Sequence, residues 1–270
     1  MRKKLRSRRG ITSIISTLVI FTVMVAALGL AFSQIVPSLE KFQTESDLTA
    51  ATNTFLSFDS EIKKLVNTPE NSSSVVRYNL GNGILDLTKN REISFLVKSG
   101  GANLLNYSSI KGEVIYKLEG NFKGSGGAVY DFGSPLLLVY SLNRTAQMTN
   151  IVHQAFDGYK LLTLYYSVFL NVEEISDNAL EVNLIMIHLN TEKTIDGQGE
   201  YFPIINAPTK IQMIKQSQVT ETYNLGNQAD ELIIVASTQD FSQNVVYPFA
   251  PSSFELTVNI VHINIDFRTI

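Results

Sequence analysis

Three spacings of apolar residues follow one another along the 270-residue chain. From Ile11 to Val36 there is no charged interval: 26 consecutive residues are uncharged, and most are Ile, Leu, Val, Ala or Phe. A helix of that length reaches ~39 Å, more than the ~30 Å hydrocarbon core of a bilayer, so the segment is predicted to span one. Beyond Pro37 the apolar residues recur as Leu48, Phe55, Phe58, Ile62 and Leu65, one stripe of a 3.6-residue period with charges around it. That spacing predicts an amphipathic helix over 37–68, continuous with the first, kinked near Pro37 and ended by Pro69.

From about Ser72 the period becomes two. Leu180, Val182, Leu184 and Met186 alternate with Glu181 and Asn183 in a strand-like run. Further strand candidates are SSVVRYNL, GILDLT, ISFLV, KGEVIYKL, GAVYDF, PLLLVYSL, YKLLTLYYSVFLNV, IQMIKQSQVTETYNL, ELIIVAS and SFELTVNIVHINIDF, parted by breakers such as Gly81-Asn-Gly83 and Gly124-Ser-Gly-Gly127. The fold class expected is α+β: a long N-terminal transmembrane and amphipathic helix, then an antiparallel all-β, sandwich-like head over 69–270. Two details are sharper. The run Tyr159 to Val172 is apolar in both phases, which predicts one central strand. In the last run the apolar phase moves from Phe254, Leu256, Val258, Ile260 to Val261, Ile263, Ile265, Phe267, which predicts a bulge near Ile260 or a strand passing between sheets.

Charge divides the chain again. Residues 1–10 hold six of the 22 basic side chains and no acidic one, leaving 16 basic against 25 acidic residues beyond Gly10. Basic residues flanking a membrane span stay cytoplasmic, which places everything after Val36 on the outer side of a single-pass cell-membrane protein. A head this acidic is unsuited to nucleic acid, whose phosphates need clustered Lys and Arg. With no cysteine, disulfides, thiolate metal sites and cysteine nucleophiles are excluded.

The stretch RRGITSIISTLVIFTVMVAALGLA, residues 8–31, resembles the N-terminus of archaeal type IV pilin-like proteins. Those precursors carry a short basic leader ending in Gly or Ala, followed at once by an apolar helix. The resemblance implies a class III signal peptide over 1–10, cut by a prepilin peptidase between Gly10 and Ile11. The helix over 11–36 would stay on the mature chain and pack with other pilin-like subunits in a filament or a complex within membrane lipid. Bacterial type IV pilins have a glutamate where this chain has Ile15, so the likeness is to the archaeal branch. The hydroxyls Ser13 and Thr17, and the small residues Ala27 and Ala31, sit at i, i+4 spacings that suit close approach of helices within lipid. Two alternatives remain open: an uncut helix anchoring a ligand-binding β-domain, and a secreted β-sandwich enzyme cut after Ser33.

Signs of catalysis are few. His153, His188 and His262 lie far apart and in no His-x-x-x-His or Glu-x-x-His pattern, so ordinary strand or loop positions are expected for them. No G-x-S-x-G elbow or P-loop occurs, and the GSGG stretch precedes no helix, which favours a close approach of backbones over a phosphate cradle. Asp196 to Glu200 offers two carboxylates in a turn without EF-hand spacing, and a solvated hairpin is favoured there over calcium. No cofactor is expected. Sequons at Asn71, Asn106 and Asn143 are candidate N-glycosylation sites on an outward-facing head.

Overall fold

The computed structural model describes residues 4–78, 80, 82–140, 148–191, 202–204, 210–228, 231–239, 241–248 and 254–269. Helix α1 runs Lys4–Val66, through Pro37. Strands follow as β1 (Ser73–Arg77), β2 (Ile84–Ser99), β3 (Ala102–Glu119), β4 (Ala128–Phe132), β5 (Leu138–Tyr140), β6 (Thr149–Phe156) and β7 (Tyr159–Tyr166). The rest are β8 (Val168–Ser176), β9 (Ala179–Thr191), β10 (Phe202–Ile204), β11 (Lys210–Gln228), β12 (Glu231–Ser237), β13 (Ser242–Pro248) and β14 (Phe254–Thr269). The chain divides into two compact units, residues 1–47 and 48–270.

In the first unit α1 exposes its described side chains without interruption from Ile15 to Gln43. Hydroxyls along it turn back onto the helix: Thr22 Oγ1 donates to Leu18 O at 2.8 Å and Ser33 Oγ to Leu30 O at 2.8 Å. A hydroxyl satisfied in this way carries no unmet polar group into an apolar surrounding.

In the second unit the predicted helical stripe is buried as a line, Leu48, Phe55, Phe58, Ile62 and Leu65 being joined by Ala51. The helix stops where Thr68 donates its backbone N–H and its hydroxyl to Leu65 O, with Pro69 next. Its last carbonyl and that of Thr68 just beyond it are met from the sheet, since Lys215 Nζ donates to Val66 O at 2.8 Å and to Thr68 O at 2.9 Å. A cation at this end also offsets the negative pole of the helix dipole.

The strands form two sheets. One has six strands in the order β1-β11-β14-β9-β8-β5; the other has eight, β13-β12-β2-β3-β7-β6-β4 with β10 paired to β2. Most pairs are antiparallel, as expected, and β14–β9 and β5–β8 are parallel. Hairpins supply antiparallel neighbours, whereas parallel ones need crossovers such as the one from β9 to β14.

Two apolar cores result. A helix-side core joins Phe55, Phe58 and Ile62 to Leu85, Val114, Tyr116, Ile187, Ile263 and Phe267. An inter-sheet core joins Phe95, Val97, Val182, Leu184, Leu232, Phe254 and Val258. Along β9 the inward set changes from Leu180, Val182, Leu184 and Met186 to Ile187 and Leu189, and along β14 from Phe254 to Ile260 and then to Ile263, Ile265 and Phe267. Successive side chains point to opposite faces of a strand, so the two cores lie on opposite faces of these strands.

This explains the phase change in the last run and corrects the expectation drawn from it. No extra residue is inserted between β14 and β9, which pair in unbroken register from Glu255 to Phe267. The irregularities fall on the partner β11, at Lys215/Ser217 and Asn224/Asn227. The run from Tyr159 to Val172 is also corrected: it is two strands, β7 and β8, in different sheets. The chain changes sheet at Ser167, whose N–H donates to Met148 O at 2.7 Å and whose hydroxyl donates to Leu136 O at 2.6 Å. The run is apolar in both phases because it is the corner where both sheets meet.

Candidate functional site

The residues expected to pack helices fall on one side of α1. At 100° per residue, Ser13, Thr17, Ala27 and Ala31 lie within an arc of ~80°. Gly10, Ile11 and Ser13 belong to the first turns of α1, and their side chains are not among those described. Thr17, Ala27 and Ala31 are exposed, as are the larger residues around them, Leu18 at 63 %, Phe21 at 67 % and Phe32 at 63 %. The described part of α1 is long and apolar enough to cross a membrane.

Of the sequons, Asn71 lies exposed in the turn before β1 with a left-handed backbone (φ 63°), and Asn106 is exposed on β3 opposite Leu96. Asn143 and the Asp196 to Glu200 turn lie outside the described residues. The glycines of GSGG do make a close approach: a Cβ on Gly124 would lie 2.2 Å from Ala155 O. Gly126 N–H also donates to that oxygen, at 2.8 Å.

A second feature is not foreshadowed by any motif. The two sheets pinch together at Gly112 of β3, where an added Cβ would stand 1.9 Å from Leu189 O of β9. Only a residue without a side chain fits there. Around this waist, between the two apolar cores, runs a belt of buried polar groups.

On the six-stranded sheet the belt holds His188 of β9 and His262 of β14, 7 % and 8 % exposed. Their nitrogens His188 Nε2 and His262 Nδ1 are 2.9 Å apart, and the rings are nearly stacked. His262 Nε2 is 2.9 Å from the Tyr107 hydroxyl of β3, so this chain of bonds ties one sheet to the other. Glu221 of β11 stands at the outer end, its Oε1 3.8 Å from His262 Nε2 and its Oε2 accepting from the Tyr223 hydroxyl.

Lys111 of β3 completes the belt. It is 2 % exposed, and its Nζ donates to Tyr166 O at 3.4 Å. Burial, then the nearby Arg91 guanidinium, pushes its ammonium down to about 7. Arg91 itself lies 3.7 Å over the Tyr165 ring and 3.9 Å from Glu113, whose carboxyl burial holds above its ordinary range. For His262, burial lowers the proton affinity, Glu221 raises it and Lys111 lowers it.

Tyr166 links the belt to the helix. Its hydroxyl donates to Asp59 Oδ1 at 3.1 Å, beside a short bond from the Thr149 hydroxyl to the same oxygen. Lys63 donates to Asp59 Oδ2 at 2.7 Å. Asp59 is thus an inward-facing carboxylate on α1, met from β6, β7 and its own helix.

Sequence spacing separates the three histidines, and the structure keeps His153 apart, on β6 with Nε2 3.0 Å from Asp131 Oδ2. His188 and His262 are 74 residues apart and meet through the parallel register that sets His188 opposite Asn264. A signal existed: each continues the inward phase of its strand, after Met186 and after Ile260. Chemically, the belt can share and relay protons. Among the described residues no three His, Asp or Glu side chains are arranged to hold a metal ion. Comparison of this chain with protein-family models, with curated proteins and with solved structures finds no match.

Proposed function

We propose that the chain is an archaeal type IV pilin-like surface subunit, cut by a prepilin peptidase between Gly10 and Ile11 and assembled through its apolar helix. The observation that carries this reading is the uninterrupted exposure of apolar side chains on α1 from Ile15 to Val36. Exposed apolar surface of this extent requires lipid or other helices around it. The small-residue arc through Thr17, Ala27 and Ala31 offers a neighbouring helix a close approach, and removal of six leader cations frees the segment to leave the membrane surface. The β-rich unit then presents its outer surface, with Asn71 and Asn106 as glycan acceptors, to the surroundings.

N-terminal sequencing of the protein from its own cells tests this reading. A first residue of Ile11 is the expected result. A chain beginning at Met1 points to an uncut anchor for a ligand-binding domain, and one beginning at Gln34 to a secreted protein.

A further inference from the structure

Among the described residues most buried polar groups have partners, and the His188–His262–Tyr107 chain can change its bonding with its protons. In the uncharged pair one ring donates an N–H and the other accepts it across 2.9 Å. One added proton fits the same arrangement. As an imidazolium, His262 donates Nδ1–H to His188 Nε2 and Nε2–H to the Tyr107 oxygen, and no bond is lost. A second added proton does not fit, because both facing nitrogens then carry hydrogen.

We propose that this chain is an acid-sensitive latch between the two sheets, which keeps its geometry with one added proton and opens at the waist with two. The latch goes beyond the assembly role and stands whether or not the chain forms filaments.

The surroundings favour opening in acid. His262 faces His188 from β9, Tyr107 and Lys111 from β3, and Glu221 from β11, which in turn accepts from the Tyr223 hydroxyl. Behind Lys111 stand Arg91 of β2 and Glu113 of β3. As pH falls, Lys111 and His262 gain positive charge, while Glu113, whose carboxyl burial holds above its ordinary range, loses its negative charge. Attraction within the belt therefore gives way to repulsion in a confined space. His262 holds its proton less tightly in the folded chain than when unfolded. Its contribution is complete above its unfolded value of ~6.5 and is lost as pH falls through the folded one. The connection through Tyr166 to Asp59 places this change next to the seat of the helix.

The test is a pH titration of the full chain in detergent micelles, following the imidazole nitrogens by NMR and the Leu189 and His262 amides by hydrogen exchange. The latch predicts two coupled ring titrations, and protection at those amides that falls about tenfold or more with the second step. His262→Gln should abolish the step and His153→Gln should leave it. Independent titration of the two rings with unchanged protection overturns the proposal, as does a step that persists in a folded His262→Gln chain. Should that variant fail to fold, the wild-type ring titration decides by itself.

Discussion

Lys111 is a residue whose burial is costly to the head. Its ammonium is pushed down to about 7 in the folded chain, against an ordinary value of 10.5. Between those values the unfolded chain binds a proton that the folded one lacks, so stability rises with pH across that window. Below it the penalty is complete, on the order of 5 kcal/mol. Lys111→Met is therefore expected to raise the melting temperature at neutral pH and to flatten its rise toward pH ~10, as calorimetry of both chains would show. Little of this was legible in the sequence. A lysine opening the run KGEVIYKL looks like a solvated strand end, and only the pinch at Gly112 beside it shows why its side chain lies inside.

At the level of elements, legibility follows the range of the forces involved. The stripe from Leu48 to Leu65 was readable because helical period is local, and its members are buried as that period requires. Strand β6, TNIVHQAF, and strand β13, SQNVVYP, show no clear alternation and escape a reading by period. Each is held by pairing: β6 between β4 and β7, and β13 along β12. The end of α1 likewise depends on a distant residue. Lys215→Ala removes the donor to Val66 O and Thr68 O, and is expected to cost about 1–2 kcal/mol in denaturant unfolding. The same variant should lose amide protection first in the last turn of the helix.

For the whole molecule, the division at Asp47 separates a helix segment with exposed apolar side chains from a unit with its own cores. A chain starting at Leu48 is expected to remain in water after detergent phase separation, while the full chain enters the detergent phase. It should also keep the slow amide exchange of β9 and β14. Full-length chain in the aqueous phase would contradict the membrane reading of α1. The length and apolar character of α1 were the most legible part of the sequence, because an unbroken uncharged run is enough to predict both.

The parallel pairing of β9 with β14 also governs the order in which the head can form. Strands β10 to β13 are synthesised between these two neighbours, and until β14 arrives the backbone edge of β9 has no partner on that side. Contacts so distant in sequence form slowly, and an open edge in the interval invites pairing with other chains. The six-stranded sheet must therefore close late, and a nascent head needs protection from its own kind until then.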